Sequence, residues 1–110
     1  MCLRSWTRAF LKGKRLKEAR LRSGLTQAQV GINAGMDQSV ASARINQYER
    51  DVHVPGFGVA EQLAKALKVP AAYFYAVDDG LAAWILAYAK ISASGRRSVL
   101  DEAGVDPRHL

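Results

Sequence analysis

Gly24-Leu25-Thr26-Gln27-Ala28-Gln29-Val30-Gly31-Ile32-Asn33-Ala34-Gly35-Met36 reads as a short helix held between two tight turns. Two helices that cross steeply through a three- or four-residue turn need a small residue where they touch. They also need a turn residue that tolerates a left-handed backbone, and apolar anchors around the crossing. Gly31 supplies the contact, Gly35 the turn, and Val30, Met36, Ile45 and Tyr48 the anchors. In an ordinary helix Gly31 would cost about 1 kcal/mol relative to Ala, so close helix approach explains it better.

Outward from this stretch, Gly24 is a C-cap candidate for a run of strong helix formers over residues 11–23. Thr26 can cap a second helix over 27–34, and Asp37 a third that continues to Arg50. A fourth helix is expected over 58–67, with Leu63, Ala64 and Leu67 at core spacing. Pro70 suits the first position of a short fifth helix over 71–75. Asp78 or Asp79 opens a sixth, and Ser94 is the expected cap of a seventh near 96–103. No alternating strand pattern and no repeat interrupts the series, so the fold class is all-α. Leu3, Trp6 and Phe10 share a helical face in an N-terminal extension over residues 1–10, with no evident partner.

A chain of 110 residues suits one domain with at most a short appended element. Its longest apolar run, residues 81–89, is nine residues, far below the roughly 20 that a membrane-spanning helix needs. A single cysteine, Cys2, excludes a disulfide scaffold and points to a cytoplasmic setting. Arg4, Arg8 and Lys12 interrupt the apolar residues near the start, so no secretory leader is expected, although transit peptides share an Arg-rich, acid-poor start. Charge is uneven. Residues 1–22 carry eight Lys or Arg against the single acid Glu18, whereas from Asp51 onward six bases face seven acids. A basic N-terminal half on a small protein suits a polyanion, nucleic acid first, or simply a solvated helix face.

Enzyme chemistry finds little purchase. His53 and His109 lie far apart, Cys2 has no nearby base, and no Cys/His/Asp/Glu group has zinc-like spacing. No metal or other cofactor is expected, and Asp78-Asp79 reads as a helix start favoured by the macrodipole.

Residues 16–75 resemble the Cro/repressor-type helix-turn-helix domain, also called XRE-like or lambda-repressor-like. The resemblance rests on Leu16-Lys17-Glu18-Ala19-Arg20, Gly24-Leu25-Thr26-Gln27 and Asn46-Gln47-Tyr48-Glu49-Arg50. Pro55 and Leu63-Ala64-Lys65-Ala66-Leu67-Lys68-Val69 extend it. It implies a five-helix DNA-binding fold, here residues 11–77 with one or two extra C-terminal helices over 78–110, and a regulator that binds double-stranded DNA as a homodimer. It also implies a buried ion pair between Arg20 and Glu49, and a backbone-phosphate contact for Gln27. Two departures stand out. Gly35 and Glu49 are fourteen residues apart where the family has about ten. Either the third helix begins a turn early, near Asp37 or Gln38, or a longer turn precedes an ordinary helix. Asp51 stands where the family commonly has Gly, and Asp tolerates the left-handed backbone better than most residues.

The third helix turns Ala41, Ile45 and Tyr48 to the core by its own periodicity. The opposite face centres on Ala43, with Ser39, Asn46, Gln47 and Arg50 around it and Ser42 and Arg44 on its flanks. Such a face suits the major groove, where Asn and Gln can bond adenine bidentately and small residues allow close approach. The expected DNA-contacting set is therefore Gln27, Gln38, Ser39, Ser42, Ala43, Arg44, Asn46, Gln47 and Arg50. Lys14, Arg15 and Arg22 are candidates for phosphates or for a solvated face. In residues 78–92, Leu81, Trp84, Ile85 and Tyr88 recur as one apolar stripe. The stripe either joins two copies, making the DNA site a palindrome, or packs back on its own domain. A protein-interaction module, such as the antitoxin of a toxin pair, is the alternative function. Its partner would bind through the C-terminal helices, and the aromatic-rich Tyr73-Phe74-Tyr75 and this stripe are the features that favour it.

Overall fold

The structure, a computed structural model, describes residues 10–110. Leu3, Trp6 and Cys2 lie outside the described residues, and Phe10 is exposed. Within the described residues the chain is entirely helical: α1 (Gly13–Ser23), α2 (Gln27–Asn33), α3 (Ala41–Glu49), α4 (Phe57–Leu67), a 3-10 turn (Ala71–Tyr75), α5 (Asp79–Lys90), α6 (Ala93–Ala103) and a terminal 3-10 turn (Pro107–His109).

Local chemistry sets most of these boundaries. Gly24 closes α1 at φ 72°, and its N–H donates to the carbonyls of Arg20 and Leu21. Thr26 and Gln29 form a reciprocal capping box at the start of α2. Asp78 caps α5 by accepting from the Leu81 N–H at 2.8 Å. Ser92, not Ser94, caps α6: its hydroxyl accepts from the Gly95 N–H, and α6 starts at Ala93.

Leu16, Val30, Ile45, Leu63, Tyr73 and Phe74 are almost fully buried and form the centre of one core shared by α1 to α4 and the 3-10 turn. Ala82 of α5 lies in the same core, with Ile85 and Leu86 packed against it. By contrast α6 buries no residue. The Cα radius of gyration is 15.6 Å, against about 13 Å for a compact chain near this length, so the C-terminal helices extend the molecule.

α2 and α3 meet where Gly31 faces Ala41. A Cβ on Gly31 would lie 2.7 Å from the Ala41 Cβ, so only glycine permits this approach. Gly35 turns the chain between them at φ 95°. Gly13 plays a matching part that its sequence context did not signal. A side chain there would strike the carbonyls of Tyr48 and Glu49, so α1 begins directly against the end of α3.

Candidate nucleic-acid interface

A reading helix must first be held rigid. Arg20 of α1 donates from Nε and Nη2 to the two oxygens of Glu49, at 2.5 and 3.1 Å. The pair is largely buried, with 13% of the Arg20 side chain and 3% of the Glu49 side chain exposed. The hydrogen bonds to Glu49 hold the Arg20 guanidinium above its usual value, outweighing burial. Arg20 also donates to the Leu25 carbonyl, so one guanidinium ties α1 to α3 and to the chain entering α2. Past Glu49 the chain reverses at Asp51, which adopts φ 58°. Its carboxylate accepts from the Gly13 N–H at 3.0 Å, closing the end of α3 onto the start of α1.

The four additional residues lengthen the turn and not the helix. Regular α3 starts at Ala41, so the expected start at Asp37 is corrected. Asp37 caps a separate turn: its carboxylate accepts from the N–H and hydroxyl of Ser39, and its carbonyl accepts from the N–H of Val40 and Ala41. The Ser39 bonds hold the Asp37 carboxyl below the usual range. Val40, at φ −119° and ψ −10°, sits at the edge of the right-handed helical region as the N-cap of α3. Side-chain bonding of this kind competes with helix geometry, and the Gly31 contact decides where Ala41 must sit.

With Ala41, Ile45 and Tyr48 buried, the opposite face of α3 and its preceding turn are open. Gln38, Ser39, Ser42, Ala43, Arg44 and Arg50 are exposed, and Asn46 and Gln47 are half-buried. Eight of the nine residues expected to contact DNA are thus exposed or half-buried on α3 and the turns that flank it. Gln27, the ninth, turns its amide inward, with Nε2 3.1 Å from Glu49 Oε1 and 3.4 Å from Asn46 Oδ1. One neighbour of this surface was missed. His53 and Val54 line a shallow cleft with Arg44 and Gln47, because the reversal at Asp51 folds them back on α3. In sequence His53 showed only its place in a turn.

The basic residues of α1 expected at phosphates divide into one that is buried and others that are exposed. Arg15 is buried, so its place among the phosphate contacts is corrected. Its Nε donates to the Ala76 carbonyl, Nη1 to Glu18, and Nη2 to the Val77 carbonyl and to Asp79. Burial would lower the Arg15 pKa, but the bonds to Glu18 and Asp79 outweigh it and raise the value. Four of its five N–H groups are thus bonded, and a buried guanidinium this well bonded would be costly to extract. Lys14 remains exposed in a loose 3.3 Å pair with Asp79, and Arg22 is exposed with its guanidinium 5.8 Å from the Tyr73 ring centroid.

The stripe on α5 divides. Ile85 turns to the core and leaves the expected docking set, whereas Leu81, Trp84 and Tyr88 are 52, 63 and 54% exposed. Arg96 of α6 stacks 3.9 Å from the Tyr88 ring centroid and donates to the Tyr88 carbonyl, holding α6 beside this face. Among the described residues no helix is long and apolar enough to cross a membrane, and no group of His, Cys, Asp or Glu could hold a metal ion.

A family model described as a helix-turn-helix domain matches residues 13–73. Among solved structures, the crystal structure of transcriptional regulator BswR is similar to this chain at 42% sequence identity, with a TM-score of 0.81. The match covers 86% of this chain and 93% of that one. No curated protein matches it.

Proposed function

The chain belongs to the helix-turn-helix domain family, and from that premise we propose that it is a transcriptional regulator of repressor type that places α3 in the major groove of double-stranded DNA. The observation that carries this reading is the open face of α3. Small and amide side chains with few charges cover it, over a support locked by the Arg20–Glu49 pair. Amides and small residues read base edges, whereas Arg44, Arg50, Lys14 and Arg22 suit phosphates, which set register and affinity.

The regulator acts as a homodimer in the cytoplasm. The exposed Leu81, Trp84 and Tyr88 give a second copy an aromatic anchor, the residue type over-represented at interfaces. A two-fold dimer sets its recognition helices about one DNA turn, ~34 Å, apart, so its site is a palindrome.

The test is in vitro selection from random duplexes, followed by a salt titration on the selected site. Release of ~4–8 counterions per dimer predicts a log–log slope of about −4 to −7. No enriched sequence, or a flat salt response, overturns the reading.

A further inference from the structure

The amide of Asn46 has a fixed polarity. Both Glu49 oxygens accept from Arg20, and a carboxylate can only accept. The end of Gln27 that meets Glu49 Oε1 must therefore be its NH2 group. That nitrogen only donates, so the Asn46 atom 3.4 Å away must be the carbonyl oxygen. Asn46 has its oxygen engaged inward and its NH2 group left for the open face of α3.

This matters for which base it can read. A free asparagine pairs bidentately with adenine because it offers an acceptor to N6 and a donor to N7. With its oxygen turned inward to Gln27, Asn46 presents its NH2 donors to the open face, even though the oxygen keeps a second lone pair. Guanine presents two acceptors, N7 and O6, to the major groove, while cytosine presents only a donor. We propose that Gln27, backed by the Arg20–Glu49 pair, is a positioning residue that makes Asn46 a donor-only reader selecting guanine over adenine. The inference rests on the reading of α3 as the groove-facing helix.

The experiment is selection and competition binding on random duplexes with the full chain and three variants, each first verified as folded by circular dichroism. In the unmodified chain one position of the half-site prefers guanine over adenine by about ten-fold or more, as loss of one good base contact implies. Asn46→Ala levels that position alone, and 7-deazaguanine, which lacks the N7 acceptor, weakens binding there. Asn46→Asp keeps an inward oxygen for Gln27 and turns an acceptor outward, so the position moves to cytosine. Gln27→Met releases the Asn46 oxygen while leaving Asn46 in place, so adenine gains relative to guanine. A merely structural Gln27 would lower all affinities together and leave this ratio unmoved. Specific binding whose preferences Asn46→Ala leaves unchanged overturns this inference alone. So does an adenine preference that Asn46→Ala abolishes. Absence of any specific duplex binding by the unmodified chain overturns the reading of α3 as well.

Discussion

Gly31→Ala adds one methyl group at the α2–α3 crossing, and its cost can be worked from the structure. The new Cβ would lie 2.7 Å from Ala41 Cβ, 3.0 Å from its Cα and 3.1 Å from its carbonyl oxygen, where ordinary contacts are 3.4–4 Å. Two of these atoms are backbone, so the helices must part by about 0.7 Å at the crossing. Val30 and Ile45, both at 0% exposure, would lose part of their packing. A gap of that size forfeits about a quarter to a half of each contact's attraction. Overpacking of this kind costs about 1–3 kcal/mol, while exchanging a helical Gly for Ala returns up to about 1 kcal/mol. The net expectation is a loss of about 1–2 kcal/mol. Gly58→Ala, in the first turn of α4, is the control, because nothing lies within 4 Å of its Cβ position. It should stabilise by about 0.5–1 kcal/mol through a less flexible unfolded chain. The two variants should therefore separate by about 1.5–3 kcal/mol, or roughly 10 °C in Tm, by urea and thermal unfolding. Because Ala41 begins α3, Gly31→Ala should also weaken DNA binding, and adding Ala41→Gly should recover part of the stability through a favourable coupling. If Gly31→Ala and Gly58→Ala shift stability alike, the close-approach argument is wrong.

Arg20→Met leaves Glu49 buried without its charged partner and should cost about 3–5 kcal/mol in urea unfolding, with much of the loss recovered in Arg20→Met/Glu49→Leu. Burial raises the Glu18 carboxyl, but bonds from Arg15 and Tyr73 outweigh it; bonds from Arg15 and Lys14 lower Asp79. Both folded values lie below the ordinary carboxylate range. Their stabilisation is therefore complete above about pH 4.5 and lost as pH falls through the folded values, and Asp79→Asn should flatten the acid side of a stability–pH profile. Trp84→Asp should leave the fold intact, because that side chain is exposed. In sedimentation it should convert the proposed dimer to monomer and roughly halve the salt slope of DNA binding.

Sequence by itself determined the features whose causes are local. Gly24, the Thr26 cap, a helix start at Asp78 or Asp79 and the periodic Ala41, Ile45 and Tyr48 can be read within one or two helical turns, because caps and faces depend on neighbours three or four residues away. Gly31 was legible for the opposite reason: a glycine is costly inside a helix, so its presence marks a contact even when the partner is unnamed. Only the tertiary structure decided where Arg15 goes. Besides Glu18, its partners are two backbone carbonyls and Asp79, some 61–64 residues away, and carbonyls at Ala76 and Val77 leave no signature in side-chain identity. The start of α3 was decided the same way, because residues 37–41 suit either a helix or a turn until Ala41 must meet Gly31. Gly13 excludes a side chain only because α3 ends against it. On α5, Leu81, Trp84, Ile85 and Tyr88 are equivalent by periodicity. The docking angle set by Ala82 in the core sends Ile85 inward and leaves the other three at the surface.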